Sequence, residues 1–571
     1  MNPAAHPLLP LSPNLPVWRV LDTRLDVSRL LALWQAWREL PARPRVLHLV
    51  AFAPEAPPRA TLYHATEAKT QPLVEALAAQ WLGLLPGMHR LLLDDGHFQL
   101  TLCIGELAPL LRAQHFAADA IHLDPALPWD GYSLKALARC RRRGTLLQGP
   151  AHDSPLAPAL RELGFVTSEQ GWCCDPAWAL RQREARIEAA PVGRCAVIGA
   201  GLAGASVAAA LARRGWQVQV LDAAAEAAAG ASGLPAGLLI PHVSTSDGPR
   251  SRLTRAGLRL VRAEAQRLLR AGEDWGPTGV LELRLEGKSG LPEDWPANGH
   301  ELTRSAALGA PEAWKRGLPD APTLWHGQAA WIKPAQLVRA WLAQPGVRFR
   351  GNGQVDSLRA TPAGWELRDA QGHVLDTADQ VVLANALDAP RLLATAGCTL
   401  PPLHGMRGVL SWGLRETTLP SSPTGALPPH PVNGAGSFIP DVPVDGGRAW
   451  YAGATYENTA DAAAPQAVHL QANLEKLRRL LPAVADALAP AYADGLVQAW
   501  EAVRCVSRNR LPLVGPLQDG PQPTLWISAA MGSRGLSLCM LCAELLAARL
   551  GAEPWPLETG LAQALDLRRK A

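Results

Sequence analysis

The chain repeats one hydrophobic pattern twice, first over about residues 17–150 and again from residue 194 onward. In both regions short apolar runs alternate with longer stretches in which apolar residues recur at helical spacing, such as Leu30–Leu40. Buried parallel strands joined by helices produce this alternation. The pattern therefore predicts two α/β units. Strands predicted in the first unit are Trp18–Leu21, Val46–Phe52, Arg90–Leu93, Gln99–Ile104, Ala120–Leu123 and Gly144–Gln148.

The second unit opens with a turn that contains Gly199, Gly201 and Gly204 and leads into a helix of small residues. In a dinucleotide-binding turn the first glycine permits a tight bend, the second lets backbone approach a diphosphate, and the third lets helix pack on strand. The next strand ends at Asp222, whose carboxylate can accept from both ribose hydroxyls. The pattern predicts FAD or NAD rather than NADP; the alternative is a glycine-rich turn without a ligand. The predicted elements are strand Cys195–Ile198, helix Ala205–Arg213 and strand Val218–Leu221.

Two further stretches favour a flavin. The loop Gly230–Pro241 is dense in small residues, as a wide flat ligand requires. Near the other end of the chain, strand Trp526–Ala529 leads through the turn Met531–Leu536 into an apolar helix, Leu538–Leu550. The positive end of that helix can stabilise an anionic reduced flavin. The alternative is a buried core helix with an ordinary first turn.

Composition sets limits on the class of protein. A length of 571 residues suggests three or four structural units, and 48% hydrophobic with 19% charged residues is typical of a globular protein. A net charge of +4 does not by itself indicate a polyanionic partner. The nine cysteines match neither a disulfide framework nor a metal site, and no signal or membrane-spanning segment is evident. The sequence predicts a soluble, cytoplasmic protein that binds no metal and no membrane.

Arginines cluster in two places. One cluster lies in or just after the first unit, and the other follows one face of the predicted helix Ser251–Leu269. The second is predicted to be solvated, and the first is either a solvated face or a surface that follows RNA phosphates. The first cluster consists of Arg139, Arg141, Arg142, Arg143, Arg181, Arg183 and Arg186, and the second of Arg252, Arg255, Arg259 and Arg262.

The first unit resembles the methyltransferase half of the bifunctional tRNA 5-methylaminomethyl-2-thiouridine biosynthesis proteins. Matching segments are Trp18–Thr23, Leu31–Arg38, Gln80–Leu107, Asp119–Asp124 and Ser133–Arg139. The family has a glycine-rich turn after the first strand, where this chain has Thr23–Ser28. The acid expected after the second strand is displaced to Glu55, and the substrate loop after Asp124 is shortened. Since side chains fill the space that a cofactor needs beside glycine, we expect a folded unit without methyltransferase activity.

The second unit resembles the FAD-dependent amine oxidases that include D-amino-acid, glycine and sarcosine oxidases, and more closely the oxidoreductase half of the same tRNA-modification proteins. Matching segments are Gly230–Pro241, Gly453–Glu457, Arg504–Pro516, Met531–Leu536 and Ala543–Glu558. Both halves match in the family's order. Where the family has glycine after an asparagine, this chain has Ala386.

The resemblance implies FAD as the cofactor and assigns roles to individual residues. Arg504 and Arg534 are the candidate catalytic residues, and each candidate arginine is either a carboxylate-binding residue or part of a structural ion pair. Residues implied to bind FAD are Gly199, Ala200, Gly201, Gly204, Asp222, Ser232, Gly233, Val355, Gly532, Ser533, Arg534, Gly535 and Leu536. Residues implied to contact the substrate are Arg407, Tyr451, Tyr456 and Arg508.

The predicted architecture is a degenerate Rossmann-like methyltransferase domain followed by a Rossmann-type FAD-binding domain with a mostly antiparallel substrate-domain sheet. The predicted boundaries are 1–187 for the first domain, 188–193 for a linker and 194–571 for the oxidoreductase. Within the oxidoreductase, the FAD-binding parts are about 194–273, 326–400 and 501–571, and the substrate domain is about 274–325 and 401–500.

The resemblance implies oxidative removal of the carboxymethyl group from 5-carboxymethylaminomethyl(-2-thio)uridine at the wobble position of tRNA. Hydride would pass to the flavin, the imine would hydrolyse to aminomethyl-uridine and glyoxylate, and O2 would reoxidise the flavin. Three alternatives remain: a bifunctional enzyme that also methylates with S-adenosylmethionine, a small-molecule amine oxidase, and an RNA-binding scaffold with a structural flavin. The sequence does not predict the oligomeric state.

Overall fold

The computed structural model describes residues 6–10, 15–65, 69–180, 189–285, 290–305, 318–319, 321–419 and 427–568. Its first unit is an eight-stranded sheet in the order β3-β4-β2-β1-β5-β6-β8-β7. The strands are β1 (Val17–Asp22), β2 (Val46–Ala53), β3 (Gly87–Leu93), β4 (Phe98–Ile104), β5 (Ala120–His122), β6 (Leu146–Gln148), β7 (Phe165–Ser168) and β8 (Gly171–Cys174). The helices are α1 (Val27–Glu39), α2 (Gln71–Gln80), α3 (Leu107–Arg112), α4 (Gly131–Leu137) and α5 (Ala157–Glu162).

The centre of this sheet is parallel, as the apolar runs predict. Strands β4, β2, β1, β5 and β6 pair in parallel, while β3 and the β7–β8 pair are antiparallel additions at the two edges. All six strands predicted for this unit are confirmed. Helix α1 corresponds to the predicted helix Leu30–Leu40 and starts slightly earlier, after its N-cap residue Asp26. The strand order reverses between β1 and β5, which is where open α/β sheets bind ligands.

The second unit contains two larger sheets and two small ones. Its strands are β9 (Arg194–Ile198), β10 (Gln217–Leu221), β11 (Gly237–Leu239), β12 (Trp275–Gly276), β13 (Val280–Leu283), β14 (Arg304–Ser305), β15 (Thr323–His326), β16 (Ala330–Ile332), β17 (Val347–Arg350), β18 (Ser357–Thr361), β19 (Gly364–Arg368), β20 (Val374–Ala378), β21 (Gln380–Leu383), β22 (Leu403–Leu414), β23 (Val432–Gly434), β24 (Gly436–Val444), β25 (Gly447–Gly453), β26 (Glu457–Asn458), β27 (Gln498–Ser507), β28 (Leu513–Pro516) and β29 (Leu525–Ala529). Its helices are α6 (Leu202–Arg213), α7 (Pro249–Leu268), α8 (Pro334–Leu342), α9 (Ala389–Thr395), α10 (Arg415–Thr418), α11 (Gln466–Leu480), α12 (Pro482–Ala493), α13 (Gly535–Leu550) and α14 (Thr559–Gln563).

One larger sheet is the predicted Rossmann-type core. Its order is β17-β10-β9-β21-β29-β28, with every pair parallel except β28–β29. Helices α6 and α13 pack against each other in the largest apolar cluster of the protein. The strand order reverses between β9 and β21, so the glycine-rich turn after β9 lies at the point where this class of sheet binds its ligand.

The other larger sheet, which is mostly antiparallel, is built from nine strands between β13 and β27. Its longest pairing joins β22 to β27 in ten consecutive residue pairs, from Leu403–Ser507 to Trp412–Gln498. This confirms the predicted mostly antiparallel sheet. Strand β27 crosses the predicted boundary at residue 500, so the division of the oxidoreductase into FAD-binding and substrate parts stays a prediction, as do the boundaries around residues 188–193.

The second arginine cluster is not a solvated face. Arg259 is half-buried and donates to the carbonyl oxygens of Gln80 and Leu82, each at 2.6 Å, and Arg252 pairs with Glu558 at 2.6 Å. The prediction for this helix was wrong because its arginine face packs toward the first α/β unit. Helical spacing identifies a common face but does not reveal what covers it.

The segment after α13 joins the two units through buried charges. Arg214 binds both Glu544 and Glu553 at 2.8 Å, and Glu553 also accepts a hydrogen bond from His48 of strand β2 at 2.8 Å. Burial alone would raise the pKa of Glu553, but Arg214 and His48 outweigh it and lower the pKa to about 2. Arg90 of strand β3 donates to the carbonyl of Pro554 at 2.6 Å. The two units therefore share one buried polar interface.

In the described residues, none of the helices has both the length and the apolar run that crossing a bilayer requires. All nine cysteines are free thiols, and seven of them are buried.

Candidate functional site

A cavity of about 580 Å³ opens at the carboxyl ends of β9, β10 and β21. Its wall is made by the turn after β9, the loop that follows Ala229, strand β27 and the turn before α13. Predicted cofactor residues that line it are Gly199, Gly201, Asp222, Ser232, Val355, Gly532, Ser533, Gly535 and Leu536. Segments more than 300 residues apart in the chain thus meet at one site.

At each of the three glycines of the turn, a Cβ would meet a different neighbouring group. Gly199 has φ +108°, and a Cβ there would lie 2.6 Å from the carbonyl oxygen of Ala384. A Cβ at Gly204 would lie 1.8 Å from the carbonyl oxygen of Gly199, so α6 can pack on β9 only with glycine at this position. Gly201 has extended backbone, and its Cβ would lie 2.9 Å from Oγ of Ser232.

Asp222 is held by the backbone around it. One carboxylate oxygen accepts from the amide of Ala200 at 2.6 Å, and the other accepts from the amide of Ala224 at 2.9 Å. Each carboxylate oxygen can still accept a second hydrogen bond. Ser232 accepts from the amide of Leu202 at 2.9 Å, which ties the Gly230–Pro241 loop to the first turn of α6. The turn is therefore fixed in shape, with a carboxylate at its rim.

Asn385 provides a specific test of whether the cavity fits a nucleotide cofactor. Its Oδ1 is buried and has no hydrogen-bond partner among the described residues, and the residue lines the cavity. A buried amide oxygen without a donor is costly, and a ligand hydroxyl would satisfy it. The next residue, Ala386, has φ +53°, a conformation that favours glycine. Ala386 therefore adopts, without being glycine, a left-handed backbone conformation. Together with the glycine cradle, Asn385 shows that these residues fit FAD.

The turn before α13 forms the opposite wall. Helix α13 begins at Gly535 and is almost wholly buried, and a Cβ at Gly257 of α7 would lie 1.8 Å from the carbonyl oxygen of Ser537. This close crossing fixes where the helix N-terminus points. Arg534 is the one residue of the turn Gly532–Leu536 that does not line the cavity. Burial and the neighbouring Arg250 lower the pKa of its guanidinium.

Arg504 of β27 lines the cavity and is mostly buried. A Cβ at Gly408 would lie 2.4 to 2.6 Å from its guanidinium, which therefore occupies the space that this glycine leaves open. Its Cζ lies 5.4 Å from the ring centroid of Tyr456, and burial lowers its pKa. In the described part of the chain no carboxylate pairs with it. The site therefore contains a desolvated cation without an acidic partner.

Other predicted substrate residues lie away from the cavity lining. Tyr451 is 2% exposed, packs in an apolar cluster with Trp412, and has its pKa raised to about 12 by burial. Arg407 lies 3.9 Å from Glu457, and Arg508 is exposed in the loop after β27. Tyr456 is 42% exposed beside Arg504. Among the predicted FAD residues, Gly204 and Gly233 do not line the cavity but lie close to backbone carbonyl oxygens, and the amide of Ala200 donates to Asp222.

Sequence reasoning missed three residues at this site. Asn385 and Trp500 line the cavity, and Arg510 lies 5.9 Å from the ring centroid of Tyr456. The segment around Asn385 carried a signal, because its departure from the family glycine marked the turn. Trp500 carried none, since its position depends on a pairing between β22 and β27 that spans about 90 residues of chain. Arg510 lies in the matching segment Arg504–Pro516, but nothing in that segment indicated its contact with Tyr456.

The ligand edge of the first unit is occupied by its own side chains. Arg29 binds Asp22 at 2.8 Å and the carbonyl of Arg24 at 2.8 Å, and Arg24 binds Asp124 at 3.2 Å. His122 lies 3.1 Å from the same Asp22. These pairs join the carboxyl ends of β1 and β5, where the strand order reverses. Arg24 lies in the segment that stands where the family has a glycine-rich turn, and its side chain binds Asp124 just beyond β5.

All four described members of the first arginine cluster have interaction partners. Arg142 pairs with Asp119, Arg143 pairs with Asp175, and Arg141 donates to the carbonyl of Ala138. Arg181, Arg183 and Arg186 lie outside the described residues. A continuous row of free cations for RNA is therefore not found among the described members.

Comparisons with known proteins identify the family of this chain. A family model described as FAD dependent oxidoreductase matches residues 194–549. A protein of Albidiferax ferrireducens named tRNA 5-methylaminomethyl-2-thiouridine biosynthesis bifunctional protein MnmC is 45% identical, over 97% of this chain and 93% of its own length. A protein of the same name from Polaromonas sp. is 44% identical, over 96% of this chain and 90% of its own length.

Solved structures resemble the second unit in fold. Glycine oxidase from Geobacillus kaustophilus is 20% identical with a TM-score of 0.50, over 66% of this chain and 99% of that protein. L-proline dehydrogenase from P. horikoshii is 15% identical with a TM-score of 0.50, over 66% and 97% respectively. At these identities the likeness describes the fold alone.

Proposed function

Because the chain belongs to the family of bifunctional tRNA 5-methylaminomethyl-2-thiouridine biosynthesis proteins, with an FAD-dependent oxidoreductase over residues 194–549, we propose that it oxidatively removes the carboxymethyl group from 5-carboxymethylaminomethyl(-2-thio)uridine in tRNA. The products are the aminomethyl nucleoside and glyoxylate, and O2 takes up the electrons. The names of the relatives support tRNA as the substrate, and the family match supports the redox chemistry. The chemistry of the site supports the carboxymethyl group as the group that is removed.

The observation that carries this proposal is the guanidinium of Arg504 in the cavity wall, which forms no ion pair with any described acidic residue. A carboxymethylamine carries its carboxylate on the carbon atom whose C–H bond is oxidised. A guanidinium binds a carboxylate with two parallel hydrogen bonds and so fixes both distance and orientation. A desolvated Arg504 without an acidic partner is suited to that carboxylate.

The other residues of the chain position the cofactor and the substrate. When bound, FAD supplies the two-electron oxidation of the C–N bond next to the carboxylate. Asp222 and Asn385 would hold the nucleotide hydroxyls, and the N-terminus of α6 would bind the diphosphate. The N-terminus of α13, with Gly532 and Ser533, would lie on the side of the flavin and would favour negative charge there. No side-chain nucleophile is required.

Nucleoside analysis of tRNA tests the substrate. In cells that lack this protein we expect 5-carboxymethylaminomethyl-uridine, with or without the 2-thio group, to accumulate. Re-expression of the wild-type chain is expected to convert it to aminomethyl-uridine. Unchanged tRNA in the deletion strain would contradict the proposal and favour a small-molecule amine oxidase. Appearance of the methylaminomethyl nucleoside on re-expression, in a strain without any other methyltransferase for this base, would favour the fully bifunctional enzyme.

We further propose that the first unit has lost methyl transfer. The Arg29–Asp22 and Arg24–Asp124 pairs fill the ligand edge between β1 and β5. A methyl donor would have to displace both pairs and would also lack the glycines that let backbone approach it. The apolar cluster around Trp34 and Trp37 needs none of these polar groups, so the unit keeps its fold and its interface with the oxidoreductase.

Calorimetric titration tests this loss. When S-adenosylmethionine is added to the holoprotein, we expect no binding at concentrations up to about 1 mM, where the binding free energy would be only about −4 kcal/mol. Titration of the apoprotein with FAD in the same instrument provides the positive control for a folded sample. Micromolar affinity for S-adenosylmethionine, or transfer of a labelled methyl group to aminomethyl-uridine tRNA, would overturn the proposal.

A further inference from the structure

Two arginines lie against the half-exposed ring of Tyr456 at the edge of the cavity, and three further cations lie near these arginines. Arg504 and Arg510 lie 5.4 and 5.9 Å from its centroid. Arg534 is close enough to Arg250 and Arg510 for its pKa to be lowered by them in addition to burial, and Arg504 acts in the same way on Lys476. We call Arg250, Lys476, Arg504, Arg510 and Arg534 the basic cluster.

The cluster is not neutralised by the described part of the protein. None of its five members forms an ion pair with an acidic side chain there, and Nε of Arg250 is buried without a partner. The acid that approaches it is Glu282, which already binds Arg284 and His326 at 2.9 Å each. Such a concentration of like charge is unfavourable in the free protein and is compensated only when an anion binds.

One carboxylate cannot neutralise this cluster. The carboxylate of the proposed substrate carries a single charge and is taken by Arg504, which lines the cavity. Four cations of the cluster then remain, and the exposed one, Arg510, lies against the ring of Tyr456. An anion that brings further charge at a fixed distance from the reacting group is required, and the phosphodiesters on either side of a nucleotide have that property.

Arg510 is the exposed member of the cluster and is held in place by its own turn. Its φ is +60°, its amide donates to the carbonyl of Ser507 at 3.0 Å, and Asn509 accepts from the amide of Leu511 at 3.1 Å. A left-handed conformation is uncommon for arginine and persists only where surrounding contacts enforce it. The turn directs the side chain toward Tyr456 instead of along the strand direction of β27.

We propose that Arg510, together with Tyr456, binds the phosphodiester next to the nucleotide whose base enters the cavity, while Arg504 binds the carboxylate on that base. This inference rests on the proposed function and adds to it the contact that distinguishes a polynucleotide substrate from a free amine. Arg510 is accordingly a specificity-determining residue that does not touch the reacting atoms.

The test compares two substrates of the full-length holoenzyme. One is an anticodon stem-loop RNA that carries 5-carboxymethylaminomethyl-2-thiouridine, and the other is the free nucleoside with the same base. For Arg510→Ala we expect the KM for the stem-loop to rise about tenfold with kcat within about twofold, as one lost phosphate contact predicts. The slope of log kcat/KM against log salt should fall in magnitude by about 0.7 to 0.9. Values for the nucleoside should stay within about twofold.

Arg359→Ala, which removes an exposed arginine from β18 in a different sheet, is the matched control and should change neither substrate. Equal losses on RNA and nucleoside in Arg510→Ala would overturn the inference, because the residue would then act on the base or on the fold. An unchanged KM and salt slope for RNA would also overturn it. If the wild-type enzyme oxidises free carboxymethylamines but not the RNA, the proposed function fails whatever Arg510→Ala does.

Discussion

Replacement of Gly201 by valine is expected to give a folded protein that contains no FAD. Gly201 precedes α6 with extended backbone, so valine can adopt its conformation. Its Cβ, however, would lie 2.9 Å from Oγ of Ser232, the group that accepts the amide of Leu202. The branched side chain would also occupy the approach of the diphosphate to the helix N-terminus. We expect at least a thousandfold weaker binding, or about 4 kcal/mol.

The measurement is the flavin absorbance per chain after gel filtration, with far-ultraviolet circular dichroism as the test of folding. Gly248→Val is the matched control, because Gly248 is also a cap residue with extended backbone before a long helix. Its Cβ would have Oγ of Ser246 as nearest neighbour at 3.7 Å, and it does not line the cavity. Full flavin content in Gly201→Val would exclude this turn from cofactor binding.

The positions of the strands along the chain and of the glycine-rich turn could be predicted because their signals are contiguous. Strand β9, Gly199 to Gly204, α6 and Asp222 occupy fewer than thirty consecutive residues, and each step of the pattern constrains the next. The signal in the first unit is also contiguous, because the segment between β1 and α1 carries Arg24 where the family has glycines, and the Arg24–Asp124 and Arg29–Asp22 pairs lie there. The loss of the cofactor site itself stays a prediction.

Contacts between distant segments could not be predicted from one sequence. The arginine face of α7 looked solvated because helical spacing does not reveal that Gln80 and Leu82 of another unit lie against it. Tyr451 and Tyr456 are five residues apart, yet one is in an apolar cluster and the other is beside the cavity. Their difference arises from β-strand alternation and the end of β25, which only the pairing with β22 and β24 defines.

The substitution Arg504→Ala separates a substrate-binding arginine from a structural one. An arginine that serves the fold is paired, as Arg214 is with Glu544 and Glu553, and its truncation leaves buried charges uncompensated. For Arg214→Ala we therefore expect the free energy of unfolding to fall by about 3–5 kcal/mol. Arg504 has no acidic partner in the described residues, so Arg504→Ala should leave that free energy unchanged or raise it.

Activity should respond in the opposite sense. Loss of two charge-assisted hydrogen bonds to the substrate carboxylate predicts that kcat/KM of Arg504→Ala falls by about 10²–10³-fold, or about 3–4 kcal/mol. Arg504→Lys should recover only part of this, because an ammonium cannot bind a carboxylate through two parallel N–H groups.

A substrate analogue with a carboxamide in place of the carboxylate completes a double-mutant cycle between Arg504 and the substrate carboxylate. Wild type and Arg504→Ala should oxidise that analogue at nearly equal rates, since the interaction is then absent from both. A loss of the same size on acid and amide substrates would mean that Arg504 shapes the cavity without binding the carboxylate, and the assignment of the substrate's charged end would have to be abandoned.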